Sequence, residues 1–220
     1  PYLVLATRRG MVKKTRLSDF DSNRTGGIIA INLAEGDELI SARLVDADDD
    51  LLLVSRKGMS ARFTAGDTQL RPMGRATAGV IGMRFRNEDE LLAMDVVTPE
   101  AFVVTVTDGG YAKRTPVAEW ATKGRGVLGV RAMRLVEDRG SLVGAVVCTL
   151  SDEIYAVASD GVVIRTRVEE IRASGRDTML HIVHGFAPGA NTPHQEHSAY
   201  MRVGSCLRSQ PAVQQGIWGL

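Results

Sequence analysis

Apolar residues occur along this chain in short runs that are separated by clusters of Gly, Asp, Asn and Ser. No run keeps a spacing of 3.6 residues between apolar positions, so no amphipathic helix is predicted. Short apolar runs between turn-forming residues are instead typical of β-strands. The predicted strands are YLVLAT (2–7), IIAINL (28–33), ELISARLV (38–45), DLLLVS (50–55), ELLAMDVV (90–97), AFVVTV (101–106), LVGAVVCTL (142–150) and EIYAVA (153–158). We therefore expect an all-β fold, with brief helical turns at 17–21 and 116–120.

A ten-residue unit occurs four times, each copy roughly 50 residues after the previous one. The copies are ATRRGMVKKT (6–15), VSRKGMSARF (54–63), VTDGGYAKRT (106–115) and VASDGVVIRT (157–166). In each copy a glycine ends a predicted two-residue turn, where a positive φ is expected. A period of this length predicts a repeat array. With about four strands in each repeat, we expect a propeller-like array of about four four-stranded blades.

Basic residues recur at two positions of the repeat. The first series follows the turn glycine by four residues and comprises Lys14, Arg62, Arg114 and Arg165. The second series lies in glycine-rich segments between the units and comprises Arg24, Arg75, Arg125 and Arg176. Lys13, Lys113 and Lys123 recur less regularly. We expect these cations to contact the phosphates of a polyanion, although a single basic residue on an outer strand more often protects a sheet edge. Eight phosphate contacts would make the logarithm of the binding constant fall with the logarithm of the salt concentration at a slope of about −7.

The overall composition neither requires nor excludes such a partner. The chain has 220 residues with 27 basic and 26 acidic side chains, so cations must be concentrated on one surface to bind an anion. The two cysteines form no CxxC pair, and no apolar run approaches the length of a membrane span. These features predict a cytoplasmic protein with no membrane partner. Because the chain starts at Pro1, we expect it to be an internal fragment of a longer protein.

No catalytic or cofactor site is predicted. Residues 1–178 contain no histidine and no phosphate-binding loop, and their carboxylates lie in turns without a metal-ligand spacing. The repeat pattern ends near Thr178, and the four histidines all follow it at positions 181, 184, 194 and 197. We predict no metal site from their spacing. The expected organisation is a repeat domain over residues 1–178 and a divergent, poorly ordered tail over 179–220, in which 179–183 could still pair as a strand.

Several segments resemble the C-terminal domain of the A subunit of bacterial DNA gyrase. They are GMVKKT (10–15), GYAKRT (110–115), DSNRTGG (21–27) and LRPMGRATAGV (70–80), and the resemblance covers about residues 1–178. It implies a β-pinwheel, in which neighbouring blades exchange strands and the outer rim wraps double-stranded DNA. The family ring has six blades, whereas this chain has markers for four. The resemblance also implies a function in ATP-dependent negative supercoiling by a type II topoisomerase in the bacterial cytoplasm, associated with the nucleoid.

In the resembled enzyme the remaining chemistry belongs to other parts of the complex. The expected partners are the gyrase B subunit and the rest of the A subunit, which form a heterotetramer and bind ATP and Mg. No tyrosine of this chain lies in a segment that resembles the DNA-cleaving one, so we expect the chain itself to be non-catalytic. The DNA-wrapping box of the family, broadly Q-R-R-G-G-[KR]-G, has its nearest relative here in TKGRGVLG (122–129), which lacks the Gln. We therefore expect weak wrapping.

Two alternatives remain open from the sequence. The C-terminal domain of the topoisomerase IV A subunit resembles the same family and usually has a poor box. A propeller-type scaffold could also use a basic rim to bind acidic protein partners. The scaffold interpretation would gain from the WD or GH dipeptides of other propeller repeats, and neither occurs in the sequence.

Overall fold

Short extended segments with turn residues between them form an all-β structure, as the sequence predicts. The computed structural model describes residues 1–157, 161, 163–179 and 181–182, and no α-helix occurs among them. The strands are β1 (Tyr2–Thr7), β2 (Met11–Arg16), β3 (Leu39–Val45), β4 (Asp50–Ser55), β5 (Met59–Thr64), β6 (Val80–Ile81), β7 (Leu91–Val97), β8 (Phe102–Thr107), β9 (Tyr111–Pro116), β10 (Val130–Arg131), β11 (Leu142–Cys148), β12 (Glu153–Val157), β13 (Val163–Arg167) and β14 (His181–Ile182). Single 3₁₀ turns lie at Leu17–Phe20, Val117–Glu119, Glu137–Arg139 and Val168–Glu170.

The strands form four antiparallel sheets, which we call blades 1 to 4. Blade 1 has the order β3-β1-β2-β6, blade 2 the order β7-β4-β5-β10, and blade 3 the order β11-β8-β9-β14. Blade 4 contains β12 and β13. The predicted array of four-stranded blades is therefore present in three copies, and the fourth sheet has two strands within the described part of the chain.

The outer strand of each complete blade comes from the following repeat. β6 follows β5 of blade 2 along the chain, but it pairs with β2 of blade 1 through Met11 and Ile81. β10 and β14 pair in the same way with β5 and β9. The strand exchange that the resemblance implies is thus present. We call the connections that lead into these outer strands the crossover segments, namely 71–79, 121–129 and 172–179; residues 21–27 hold the equivalent position in the first repeat.

The predicted strand at 28–33 is wrong. This segment is equivalent in the repeat to β6 and β10, each of which forms by pairing with a strand of the preceding blade. Within the described residues, 28–33 has no preceding blade to pair with. Its backbone instead contacts the next crossover segment, where the Asn32 N–H donates to the Thr77 carbonyl at 3.1 Å.

The three hairpin turns whose residues are all described contain three residues and not the predicted two. In the first three units the glycine N–H donates to a carbonyl three residues earlier, as from Gly10 to Thr7 at 2.9 Å. The glycines at positions 10, 58, 110 and 161 have φ values of 82°, 78°, 80° and 87°. The predicted positive φ is confirmed. In the first three units it belongs to the last residue of a three-residue connection, the form that leads into the next strand with a bulge.

The apolar core lies between the blades. Leu51 and Leu53 of β4 face blade 1, whereas Leu52 and Val54 face blade 3. Both faces of the strand are therefore buried, which explains why DLLLVS is apolar at consecutive positions and does not alternate. Packing between blades, and not within one sheet, provides the core of this array.

Part of the predicted tail is ordered. His181 and Ile182 pair with Ala112 and Tyr111, which confirms a strand within 179–183. Apart from Met179, the rest of the predicted tail, including the other three histidines, lies outside the described residues. The division of the chain at residue 178 remains a prediction. No helix among the described residues is long and apolar enough to cross a membrane.

Candidate nucleic-acid interface

The first series of basic residues lies on the second strand of each hairpin. From there three of the four side chains reach the blade that follows. The Lys14 ammonium donates to the Ala65 carbonyl at 2.6 Å, and the Arg114 Nε donates to the Ile171 carbonyl at 2.6 Å. Arg62 Nη1 donates to the Trp120 carbonyl at 3.0 Å. The acceptors all lie in the short turn that follows the second strand of the next blade.

Three lysines that the sequence predicts to contact phosphate are enclosed by protein. Lys13, Lys14 and Lys113 are each 0% exposed. The Lys13 ammonium donates to the carbonyls of Ala30 and Arg75. The Lys113 ammonium donates to three carbonyls, those of Gly175, Arg176 and Thr178, at 2.8, 2.6 and 3.2 Å. The structure therefore revises the prediction for these three residues, because a buried ammonium whose donors are bound to carbonyls presents no surface to a ligand.

The two central arginines of the first series are also largely used within the fold. Arg62 Nε donates to the Asp50 carboxylate at 2.8 Å, and the Arg62 side chain is 20% exposed. Arg114 stacks over Phe102, with 5.0 Å from its guanidinium carbon to the ring centroid. Arg165 differs, since its side chain is 63% exposed and pairs with Glu153 on its own hairpin. The prediction that Arg62 and Arg114 contact phosphate is revised as well, because their guanidinium groups have partners within the fold. The phosphate contact of Arg165 stays a prediction.

The second series bridges neighbouring repeats in the opposite direction. The Nη1 atoms of Arg75, Arg125 and Arg176 donate to the carbonyls of equivalent residues in the preceding repeat: Ile29 at 3.3 Å, Ile81 at 3.0 Å and Arg131 at 2.6 Å. All three arginines are half-buried. Arg24 is exposed, and its side chain forms no hydrogen bond or ion pair within the described part of the chain.

The structure adds two cations that sequence reasoning missed. Arg71 and Arg172 are exposed, each lies four residues before an arginine of the second series, and neither side chain has a partner among the described residues. An arginine occupies this position in the second and fourth repeats, but the equivalent position of the third repeat holds Ala121. Lys123, which was predicted, is also exposed. Arg24, Arg71, Lys123 and Arg172 together form what we call the exposed cation row, which places at least one unpaired charge in the equivalent segment of every repeat.

The described residues hold no cluster of metal-ligating side chains, and the cysteine among them is buried. No group of three or more His, Cys, Asp or Glu side chains converges within that part of the chain. Cys148 is buried, and burial raises the pKa of its thiol to about 12, which disfavours the reactive thiolate.

Burial of the Lys113 ammonium predicts a specific pH dependence of stability. Burial lowers its pKa to about 8, whereas the pKa of a lysine in an unfolded chain is about 10.4. Between these values the unfolded state binds more protons, so this residue makes the free energy of unfolding rise with pH. We expect Lys113→Met to remove that rise, as measured by urea unfolding of both proteins from pH 7.5 to 10.5. Parallel curves for the two proteins would show that Lys113 titrates normally.

Comparisons with known proteins give the same fold. The family described as "DNA gyrase C-terminal domain, beta-propeller" matches four successive segments, residues 1–46, 49–98, 101–149 and 152–179. These segments coincide with the four repeats. The DNA gyrase A subunit of Streptomyces coelicolor is 62% identical over 184 residues, and that of Mycolicibacterium smegmatis is 57% identical over 178 residues.

The match covers most of this chain and a small part of the relatives. It spans 81% of the chain but 22% and 21% of these two gyrase proteins. Among solved structures, the C-terminal domain of DNA topoisomerase IV has a TM-score of 0.77 at 29% identity, over 83% of this chain and 57% of that one. The C-terminal domain of DNA gyrase A has a TM-score of 0.74 at 28% identity, over 83% and 60%. These structures share the blade architecture.

Proposed function

The chain belongs to the DNA gyrase C-terminal domain family, and from this premise we propose that it binds double-stranded DNA through the exposed cation row, without base specificity. The observation that supports this most directly is the recurrence of unpaired charge. Each repeat places at least one exposed Lys or Arg without a carboxylate partner in a glycine-rich segment. Contacts of this kind bind phosphate, release counterions and do not read sequence.

The arrangement suits bent DNA better than straight DNA. Blades that are joined in series carry the four exposed cations in successive repeats, and we propose that a duplex follows them from one repeat to the next. A duplex that follows such an array gains contacts that compensate an elastic cost on the order of a few kcal/mol. We therefore propose that the chain supports the negative supercoiling activity of a gyrase, in which the DNA path has to be bent.

We expect this chain alone to wrap DNA weakly. The segment TKGRGVLG (122–129), which is the nearest relative of the wrapping box, holds blades together in the structure. Arg125 donates through Nε to the Gln69 carbonyl and through Nη1 to the Ile81 carbonyl. Gly129 leads directly into β10 of the preceding blade. A segment held in this way supplies Lys123 as a surface cation but has little freedom to rearrange around DNA.

We also propose partners and cofactors for the larger assembly. The chain would act as one module of a gyrase heterotetramer with the B subunit and the rest of the A subunit, in the bacterial cytoplasm and in contact with the nucleoid. ATP and Mg would be bound by those other parts. The support is the high identity to gyrase A proteins, of which this chain spans about a fifth. A topoisomerase IV remains the alternative assembly, since a solved domain of that enzyme shares the fold at lower identity.

Fluorescence anisotropy over a salt series tests the binding function. Four phosphate contacts predict a log–log slope of about −3.6, at about −0.9 for each contact. Two unrelated duplexes of equal length should give the same affinity and slope. Absence of binding at low salt, or affinity that differs strongly between the duplexes, would contradict the proposal. Tighter binding to an acidic peptide than to DNA would favour the protein scaffold.

A further inference from the structure

The first-series residues also contact the next repeat through their main chains. The carbonyls of Lys14, Arg62 and Arg114 accept the N–H groups of the equivalent residues Met73, Lys123 and Ser174, at 2.8, 2.8 and 3.0 Å. Each donor lies two residues before an arginine of the second series. One residue of each blade thus accepts a hydrogen bond from the crossover segment of the following repeat.

The side chain of the same residue forms the second half of the contact. It donates to the turn after the second strand of the next blade, at Ala65, Trp120 and Ile171 for the three joints. In the following repeat, the carbonyl that accepts from the side chain lies in the turn, and the N–H that donates to the main chain lies in the crossover segment. A single basic residue therefore fixes both segments against the strand that bears it.

We propose that the first-series residue is an interblade clamp, which fixes the angle between one blade and the next. A basic residue recurs there because a long cationic side chain can reach the turn carbonyls across the joint. The clamps act on DNA indirectly, since they fix the relative positions of the exposed cation row. That last step rests on the proposed DNA-binding function, whereas the clamp itself does not.

Neither of the other roles for these cations fits their surroundings. A charge that protects a sheet edge has to face solvent, but Lys14 is 0% exposed and Arg62 is 20% exposed. Their strands also lie inside the sheets, since β2 and β5 each have a neighbour on both sides. A phosphate contact would require the side chain to leave carbonyls that are then buried without a donor, which is costly.

Arg165 provides a matched control within the same chain. It has the same position in the repeat as Arg114, on the second strand of its hairpin. Its guanidinium pairs with Glu153 of its own blade and contacts no following turn within the described residues. If the clamp is the reason for the basic residue, Arg114 and Arg165 should respond differently to the same substitution.

Hydrogen exchange of the complete chain tests this difference. We expect Arg114→Met to speed exchange of the Ser174 amide by about tenfold or more, because the crossover segment opens locally. Arg165→Met should leave that amide unchanged, and Arg114→Lys should restore most of its protection, as Lys14 clamps the first joint. Arg114→Gln, which keeps an amide NH₂ group as a donor but removes the charge and shortens the side chain, serves if the Met variant does not fold. Unchanged Ser174 exchange in the Met variant, or in the Gln variant if the Met variant does not fold, would overturn the clamp.

A salt series separates the clamp from a direct phosphate contact. If Arg114 is a clamp, Arg114→Met leaves the log–log slope of DNA binding unchanged, whatever happens to affinity. A slope reduced by about 0.9, together with unchanged Ser174 exchange, would mean that Arg114 contacts DNA and would overturn the proposal. If the wild-type chain does not bind DNA at all, the proposed function fails, and the exchange experiment still decides the clamp.

Discussion

Gly129→Ala is expected to lower the free energy of unfolding by about 3 kcal/mol or more, whereas Gly126→Ala in the same segment lowers it by about 1 to 2 kcal/mol. The backbone angles of the two glycines are alike, with φ of 77° and 71°. Both substitutions therefore impose a similar left-handed strain on an L-residue. The expected difference in stability comes from the space around the added Cβ. A Cβ on Gly129 would lie 2.1 Å from the Ser60 carbonyl oxygen, whereas on Gly126 the nearest atom would be 3.5 Å away.

The clash at Gly129 falls on the joint between two repeats. Ser60 belongs to β5 of blade 2, and Gly129 precedes β10, which pairs with β5 through Val130 and Arg131. Because the obstructing atom is main chain in a paired strand, it cannot move aside as a side chain could. Relief of the contact would separate the exchanged strand from its blade.

Thermal and urea unfolding of the two variants measure the difference. A loss of 1 kcal/mol lowers Tm by about 2–4 °C in a chain of this size, so Gly129→Ala should melt clearly below Gly126→Ala. Equal losses in the two variants would show that positive φ, and not the close approach of the strands, determines the glycine at 129.

The repeat itself made much of the fold predictable. A glycine and a strand pattern that recur every 50 residues or so identify the units. Their apolar runs locate two strands of each of the first three blades and one strand of the fourth, and the turn glycine marks the basic strand that follows. The outer strands could not be identified in the same way. Val80–Ile81 and Val130–Arg131 are two residues long, and each is a strand only because a neighbouring repeat offers an edge. The failure at 28–33 has this cause, since local composition does not specify a partner from another repeat.

The direction of the basic side chains was not predictable from their spacing. Lys14 and Arg165 hold the same place in the repeat, yet one is buried between blades and the other is exposed. In an ordinary half-buried strand, alternation would show which positions face solvent. Here the central strands are buried on both faces, as Leu51 to Val54 show, so a cation beside them can reach a carbonyl of the next blade. Regular recurrence of a basic residue therefore did not distinguish a position between blades from a position on the surface.

Removal of the exposed cation row should greatly reduce DNA binding. The variant combines Arg24→Gln, Arg71→Gln, Lys123→Gln and Arg172→Gln, all at exposed side chains without partners among the described residues. With each contact responsible for about 0.9 of the slope, we expect the log–log salt slope to fall by about 3 to 4. The loss should be the same for unrelated duplexes, because phosphate contacts do not read sequence. Fluorescence anisotropy from 50 to 200 mM salt measures both quantities.

A matched variant with the same change in net charge separates contact from general electrostatics. It replaces by Gln four arginines that already pair with carboxylates, namely Arg8, Arg43, Arg56 and Arg167, whose partners are Glu38, Asp95, Glu90 and Glu169. After both proteins are shown to melt at similar temperatures, this variant should keep most of the wild-type slope. If the two variants lose slope equally, the duplex responds to net charge and not to the row. In that case the positions of Arg24, Arg71, Lys123 and Arg172 along the blades would have no special role in binding DNA.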